Sequence, residues 1–204
     1  MAEKRPFFEE IFGADWARLP AVFHRHYANQ KGTQDVVRVV GKMDVHQSWI
    51  MRLAAPLFWL TKTLVPINRR NIDTEVLFCT HAENDYFWYH RHFKLSADQT
   101  YSFVSRLEHM HGNEVTEWTG AGIGWHSAFA FDGSRVQLEH LGYRFKLGRF
   151  RCALPVTWLF GAPSAWEEAI DDTQFNMEMT IQHWLFGELY SYKGTFEIAE
   201  VTYA

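Results

Sequence analysis

Residues 173–183, TQFNMEMTIQH, decide the fold because large apolar side chains occupy every second position. Phe175 and the next three apolar residues alternate with polar ones, which is typical of a β-strand with one buried face. The following stretch, 188–201, alternates in the same way. Two such segments joined by a short connection favour an antiparallel pair of strands.

The same period of two extends back to about residue 71, and turn sequences such as Gly112-Asn113 and Asp132-Gly133 separate several of the segments. A run of this kind usually closes into a barrel or curls into a half-barrel. We therefore predict a mainly β (α+β) fold, an antiparallel β barrel or half-barrel of about 8–10 strands, in a single domain over residues 1–204. The candidate strands are 72–80, 85–95, 100–110, 114–119, 123–131, 135–147, 173–183 and 188–201.

Other segments depart from this period. Apolar residues recur at three and four spacing over 6–28, which predicts two short N-terminal helices separated by the breakers Gly13 and Pro20. The β-branched run 36–40 predicts a first strand. Residues 148–166 interrupt the pattern with prolines and a glycine, and we interpret them as a long apolar loop or a partial helix.

The segment 48–65 has the pattern of a helix that covers one opening of the barrel. Ser48 is a suitable N-cap, and Pro56 should interrupt the helix. One interpretation is a lid or an element that makes transient contact with a membrane surface; the other is a helix packed on both sides, with Trp59 buried. The apolar stripe comprises Ile50, Leu53, Leu57, Leu60 and Leu64, and the opposite face carries Arg52, Trp59 and Lys62.

Composition limits the function classes. The chain has 47% hydrophobic and 22% charged residues, which is ordinary for a globular protein, and a net charge of −4, which gives no electrostatic case for nucleic-acid binding. Its 17% aromatic residues either fill a wide barrel or line a cavity. Two distant cysteines and a start without the apolar core of a signal peptide favour a cytoplasmic location.

No motif for a known chemistry is present, so catalytic residues and cofactors stay unassigned. The chain lacks a Gly-x-Ser-x-Gly elbow, a P-loop and a dinucleotide fingerprint. The pairs His90/His92 and His109/His111 have ligand spacing, but a hairpin that pairs His92 with Phe103 would hold them roughly 13 Å apart. We therefore predict no metal site. Acidic pairs such as Glu167-Glu168 are interpreted as solvated.

Candidate binding residues are the large aromatic and cationic side chains near the predicted opening and sheet interior. Arg91 is in phase with Tyr89 and Phe93, so it would bind an acidic head group, stack on a ring, or pair with a cross-strand glutamate. The predicted lining residues of a small-molecule pocket are Trp59, Arg91, Trp125, Trp158 and Tyr192.

Two segments carry a family resemblance: Leu154-Pro155-x-x-Trp158-Leu159, and the stretch from His183 to Phe196 with its Gly187 and Gly194. With the apolar 53–66 segment they make the chain similar to an uncharacterised bacterial domain family, DUF4166, over about residues 8–200. The resemblance implies a bacterial, cytoplasmic domain that occurs alone or C-terminal to saccharopine-dehydrogenase-like domains, and it implies no catalytic residue. This chain departs from the family pattern at Trp184 and Tyr89, where the family favours Pro and Trp.

Three functional hypotheses follow. The first is a module that binds an apolar or amphipathic small molecule, such as a lipid, inside the barrel. The second is an enzyme that acts on such a ligand. Two to four perturbed titratable groups converging in one pocket would favour the enzyme, and a dry, purely apolar cavity would favour the first hypothesis. The third is an interaction domain with a filled core that docks to a dehydrogenase-like partner. A cavity inside the barrel would separate the first two hypotheses from the third, and the sequence leaves the oligomeric state open.

Overall fold

The computed structural model of the protein describes residues 5–204. Its helices are short, and strands make up most of the chain from residue 36 onward. The helices are α1 (Phe7–Phe12), α2 (Ala21–His26), α3 (Trp49–Leu53), α4 (Ala55–Thr61) and α5 (Thr157–Phe160), with a 3₁₀ turn at Gly13–Arg18. The strands are β1 (Val36–Gln47), β2 (Arg69–His81), β3 (Asn84–Lys94), β4 (Thr100–His111), β5 (Glu114–Trp118), β6 (Ile123–Phe131), β7 (Arg135–Leu147), β8 (Phe150–Leu154), β9 (Ala162–Ala169), β10 (Gln174–His183) and β11 (Gly187–Thr202).

Ten of these strands form a closed antiparallel barrel. The strand order is β6-β5-β4-β3-β2-β1-β11-β10-β9-β7, and pairing of β6 with β7 closes the ring. The remaining strand, β8, pairs only with the C-terminal half of β7. The predicted mainly β fold is confirmed, and closure selects the barrel over the half-barrel. Closure gives each of the ten strands a neighbour on both sides along at least part of its length, which limits the exposed edges available for pairing with other chains.

The interpretation of residues 148–166 as a loop or partial helix is correct only for α5 and the residues that flank it, and it misses two strands. The segment contains β8, α5 and β9, and β9 is a wall of the barrel that pairs with both β10 and β7. Pro163 is tolerated inside β9 because the N-terminal part of the strand has β10 alone as its neighbour. The prolines and the glycine of this segment concealed the sequence pattern of β9, the strand that the barrel needs for closure.

The predicted hairpin register is wrong by one residue. Arg91, not His92, lies opposite Phe103. Residues directly opposite each other on paired strands point to the same face, and Phe103 points into the barrel, so the register decides whether Arg91 or His92 shares that face. Arg91 therefore faces inward with Tyr89 and Phe93, as its phase predicts, and His92 faces outward, where its ring bonds the Ser102 hydroxyl at 2.8 Å.

The N-terminal helices close one end of the barrel. They precede β1, and their rings are buried against inward-facing rings of the strands: Phe8 lies 4.9 Å from Phe87 and 5.3 Å from Phe129, centroid to centroid. Tyr27 stacks against Phe8 at 4.3 Å. The predicted pair of helices thus forms an aromatic plug, which accounts for much of the aromatic content.

Helices α3 and α4 follow β1 and cover the opposite end. Ser48 caps α3 through the Met51 amide, and the helix is interrupted at Ala54, with Pro56 in the first turn of α4. The cover is held in place by Tyr101, whose hydroxyl oxygen lies 3.1 Å from the Phe58 carbonyl oxygen and 3.0 Å from that of Leu64, so that its single proton is shared between the two acceptors. A hydroxyl held by two carbonyls fixes the end of α4 over the opening.

Two glycines let β1 and β11 approach closely on the inner face. A Cβ on Gly194 would lie 2.2 Å from the Lys42 carbonyl oxygen, and one on Gly41 would lie 2.3 Å from the Thr195 carbonyl oxygen. The family motif that contains Gly194 is thus explained by backbone contact. The two cysteines, Cys79 and Cys152, are both free.

We expect Gly194→Ala to lower the free energy of unfolding by about 1–3 kcal/mol, because the new methyl group forces the two strands apart. Urea denaturation measures this change. The control is Gly120→Ala, where the new Cβ would meet only the Thr61 carbonyl oxygen at 3.7 Å, an ordinary contact. Equal effects of the two substitutions would contradict this account.

Candidate functional site

The barrel encloses a small cavity at mid-height. Its volume is about 90 Å³, and all ten barrel strands contribute to its lining, together with the end of α2. Most of the lining is apolar, from residues such as Val39, Phe103 and Met177. Polar groups interrupt this surface in two clusters and at three further side chains. The polar lining residues are His26, Tyr27, Tyr89, Arg91, Glu117, Trp125, Glu167 and Tyr192.

The first cluster is a buried ion pair on β3 and β5. Arg91 lies 2.9 Å from a Glu117 oxygen, and the two side chains are only 15% and 17% exposed. Ser105, on the strand between them, accepts from Arg91 at 2.6 Å and donates to Glu117 at 2.5 Å. Buried charges persist when they are paired and hydrogen-bonded, and this triad meets both conditions.

Aromatic rings flank the guanidinium of Arg91. Its central carbon lies 4.6 Å from the Tyr89 ring centroid and 5.1 Å from that of Phe103. Desolvation opposes the charge on Arg91, but Glu117 and the nearby tyrosines outweigh it and raise the guanidinium pKa above its ordinary value. Arg91 is therefore a fixed cation whose charge Glu117 already balances.

The second cluster joins the aromatic plug to β9. The Tyr27 hydroxyl donates to Glu167, and the His26 ring nitrogen Nε2 lies 3.6 Å from the other carboxylate oxygen. Burial, followed by the charge of Glu167, raises the pKa of Tyr27 well above its ordinary value. The tyrosine stays neutral and donates, so it stabilises the carboxylate inside the barrel.

Three further polar groups face the cavity without a protein partner. No acceptor for the Trp125 indole N–H, which is buried, is found in residues 5–204. Within the same range, the hydroxyls of Tyr89 and Tyr192 make no side-chain hydrogen bond, and burial raises the pKa of Tyr192 to about 12. An unpaired buried donor costs free energy, so the Trp125 N–H is suited to a ligand that supplies an acceptor.

The balance of charge in the cavity is negative. Glu117 and Glu167 supply two carboxylates against the single guanidinium of Arg91, which leaves one excess negative charge when His26 is neutral. Of the alternatives for Arg91, the structure shows the pair with a glutamate and the ring stacking. An acidic head group would have to displace Glu117 or approach it at close range.

Three of the five predicted lining residues, Arg91, Trp125 and Tyr192, meet at this cavity. Trp59 does not line it: the ring is 38% exposed on α4 and packs edge-on against Tyr101 at 4.8 Å. Trp158 lies on α5 and is 65% exposed. Both were expected at the opening because each stands in an apolar segment, but those segments turn their large side chains outward.

Sequence reasoning missed the two carboxylates. Glu117 shares the phase of Val115, which is fully buried, and an acidic residue on an apolar phase is a usable signal for a buried charge. Glu167 was interpreted as part of a solvated pair, and this is wrong. Its side chain is 16% exposed and bonded to Tyr27, whereas its neighbour Glu168 pairs with Arg135 on the outer surface at 2.9 Å.

Metal-ligating groups do not converge in the part of the chain that the structure describes. Over residues 5–204 no set of three or more His, Cys, Asp or Glu side chains is arranged to hold an ion. His126 is the most elaborately bonded histidine, 2.9 Å from Glu114 and 3.2 Å from Arg144. These are outer-surface contacts of β6 and do not reach the cavity.

The comparison with protein families decides the affiliation. The model of the family described as "Domain of unknown function (DUF4166)" matches residues 19–196, most of the chain. The chain belongs to the DUF4166 family. The matched region contains all the cavity-lining strand residues, so the ion pair and the second cluster lie in the family domain. No curated protein matches the sequence.

Solved structures show distant likenesses. The crystal structure of Rv2717c from M. tuberculosis has 12% identity and a TM-score of 0.47, covering 80% of this chain and 91% of that one. The dehydratase domain of the polyketide PpsC from Mycobacterium tuberculosis has 8% identity and a TM-score of 0.19, covering 95% and 84%. Both are too distant to transfer a function.

Proposed function

We propose that this DUF4166 domain binds a compact apolar or amphipathic small molecule inside the barrel. The observation that carries the proposal is the buried Trp125 N–H, which has no acceptor in residues 5–204, in a cavity whose lining is mostly apolar. A ligand that supplies an acceptor would remove the free-energy cost of leaving this donor unpaired. Binding sites combine an apolar lining with a few polar groups in this way.

The size of the cavity sets the class of ligand. Pockets for drug-sized molecules measure about 300–1,000 Å³, several times larger than the 90 Å³ found here. A small ring or short chain fits this volume, and a whole lipid does not. A larger ligand would require α3 and α4, or the N-terminal plug, to move away.

The charge of the lining sets the polar group of the ligand. Glu117 and Glu167 favour a cationic or hydrogen-bond-donating group, and the hydroxyl of Tyr192 together with the N–H of Trp125 favours an acceptor nearby. A carboxylate or phosphate is disfavoured by the excess negative charge. The ligand class is therefore a neutral or cationic amphipathic molecule.

Catalysis on such a ligand is the second candidate, because four titratable lining groups have displaced pKa values. The pKa values of Tyr27, Tyr89, Tyr192 and Arg91 are all raised. Clustered perturbations are a feature of active sites. Every one of these shifts, however, holds the proton more tightly, and an efficient acid or base titrates near the working pH. The geometry thus supports binding better than proton transfer.

Native mass spectrometry before and after organic extraction tests for a ligand that copurifies. Three matched probes then test the class: benzylamine, benzyl alcohol and benzoate. We expect benzylamine to bind at least about tenfold more tightly than benzoate, because the two share a ring and differ in charge. Calorimetric titration measures the affinities. Tighter binding of benzoate would overturn the proposed class, and failure of all three probes with a clean apo mass would overturn binding.

The substitution Ala165→Leu tests the place of binding. Ala165 lines the cavity, and a leucine there would occupy most of the free volume, so we expect probe binding to fall at least about tenfold. Ala199→Leu is the matched control, since Ala199 is exposed on β11. Unchanged binding by Ala165→Leu would place the probe outside the barrel.

A further inference from the structure

The end of the barrel that α3 and α4 cover is unusually apolar on its outer surface. Three segments meet there: α3–α4, α5, and the turn 184–186 between β10 and β11. The Ser48 amide bonds the Leu189 carbonyl at 2.8 Å, and the Trp184 indole donates to the Trp158 carbonyl at 3.0 Å, so the segments are joined. We call this surface the apolar end. Its exposed side chains are Trp49, Leu53, Leu57, Trp59, Leu60, Trp158, Leu159, Phe160, Trp184, Leu185 and Phe186.

These eleven side chains are most of the seventeen large apolar residues that are exposed over residues 5–204. Leu60, Trp184 and Leu53 reach 81%, 75% and 74% exposure. The leucine stripe of the 48–65 segment is therefore exposed in its middle, while Met51 and Phe58 pack against the core. Scattered exposed apolar residues need no explanation, but a concentration at one end marks an interaction surface.

Cations outnumber acidic residues around the apolar end. Residues 48–70 contain Arg52, Lys62, Arg69 and Arg70 and no acidic residue, in a chain whose net charge is −4. Arg52, Arg69 and Arg70 are exposed. The adjoining segments 155–161 and 183–189 add one acidic residue, Glu188. Exposed apolar side chains that are surrounded by cations complement a partner with a negatively charged surface and an apolar interior.

From this juxtaposition we propose that the apolar end docks on the surface of an anionic lipid bilayer. The four tryptophans suit the interface, where an apolar ring and a polar N–H are both accommodated. Leucine and phenylalanine tips insert below the head groups, and the arginines bind the lipid phosphates and carboxylates. The residues that the structure describes form no helix of the length and hydropathy needed to cross a bilayer.

A second copy of this chain fits the surface less well. A twofold contact would bring the arginines of one copy, Arg52, Arg69 and Arg70, against the same three residues of the other, and like charges at close range are repulsive. Docking orients the barrel with α4 toward the lipid, so the cover over the cavity faces the phase in which amphipathic molecules dissolve. The proposal stands independently of the ligand, because it uses no cavity-lining residue.

Vesicle co-sedimentation of the whole chain tests the proposal. We expect binding to vesicles of phosphatidylcholine with about 30% phosphatidylserine and much weaker binding to pure phosphatidylcholine. The triple variant Arg52→Ala/Arg69→Ala/Arg70→Ala should lower the partition coefficient about a hundredfold, at about fivefold for each cation. The double variant Leu60→Ser/Trp184→Ser should lower it by at least about tenfold.

Matched variants at other faces separate docking through the apolar end from non-specific adsorption caused by overall charge or hydrophobicity. Arg18→Ala/Lys193→Ala removes two exposed cations, and Ile170→Ser removes an exposed apolar residue, all away from the apolar end. We expect both to bind like the wild type, and Ala165→Leu as well. Three outcomes would overturn the proposal. The first is equal binding to the two lipid mixtures, and the second is an equal loss of binding in the control variants. The third is a protein that does not bind vesicles but forms a dimer that Leu60→Ser/Trp184→Ser dissociates.

Discussion

Glu117→Leu is expected to lower the free energy of unfolding by about 3–5 kcal/mol, because it leaves the guanidinium of Arg91 buried without its carboxylate. The Arg91 side chain is 15% exposed, and its other polar partner is the Ser105 hydroxyl. A hydroxyl accepts one hydrogen bond from the guanidinium but supplies no compensating charge. Urea denaturation measures the loss without adding the salt that would screen the pair.

The double variant Arg91→Met/Glu117→Leu is expected to recover most of this loss, since a buried ion pair replaced by apolar side chains of similar volume is often neutral in stability. The two single variants and the double variant form a cycle that isolates the coupling between the residues. Asp73→Leu is the control: it breaks the exposed pair with Lys42, where the side chains are 64% and 61% exposed, and should cost less than about 1 kcal/mol.

The cycle also bears on function. The double variant removes one positive and one negative charge and leaves Glu167, so it should keep its stability and still bind benzylamine more tightly than benzoate. A Glu117→Leu variant as stable as the wild type would mean instead that water reaches Arg91 through the cavity. The ion pair would then contribute nothing to the free energy of unfolding.

The barrel was predictable from sequence where each strand has one solvent-exposed face and one buried face. Residues 173–183 show this alternation directly, and the structure places β10 there. Closure was harder to predict, because it depends on β9, whose sequence contains Pro163 and follows Gly161. A Cβ on Gly161 would lie 2.7 Å from the Gln182 carbonyl oxygen, so the glycine that resembles a breaker permits close packing of α5 on β10.

The candidate site was predictable only in part. The phase of Arg91 within its strand placed it on the inner face, but its partner Glu117 lies two strands away and belongs to no local pattern. Trp59 failed as a lining residue for the opposite reason. A helix that covers the end of a barrel has one face on the barrel and one in solvent. The local pattern of residues 48–65 does not say which of the two faces carries Trp59.

Alkaline pH is expected to unfold the protein cooperatively between about pH 10 and pH 12, because most of its tyrosines are held neutral by burial. Burial raises the pKa of Tyr101 and Tyr192 to about 12, and the pKa values of four other tyrosines are also raised. Those four are Tyr27, Tyr89, Tyr143 and Tyr190. They make six of the eight tyrosines in the chain.

The sign of the effect follows from proton binding. A tyrosine in the unfolded chain loses its proton near pH 10, while the same residue in the folded barrel keeps it. Above pH 10 the unfolded state therefore binds fewer protons, and stability falls as the pH rises. Each such tyrosine lowers the free energy of unfolding by up to about 1.4 kcal/mol per pH unit, so six of them exhaust a typical stability of about 5–15 kcal/mol within two units.

Circular dichroism and tyrosinate absorbance, followed together from pH 7 upward, measure this transition. We expect the bulk of the tyrosinate signal to appear only as the β-sheet signal is lost. Tyr192→Phe removes one buried hydroxyl without removing a side-chain hydrogen bond in the described chain, and it should leave the protein about 1 kcal/mol more stable than the wild type at pH 11. Tyr203→Phe, at a site 62% exposed, is the matched control and should leave the midpoint in place. Ionisation of more than two tyrosines while the sheet signal is still native would show that hydroxide reaches the barrel interior, and the interior could then not be the dry, selective site that the buried polar groups require.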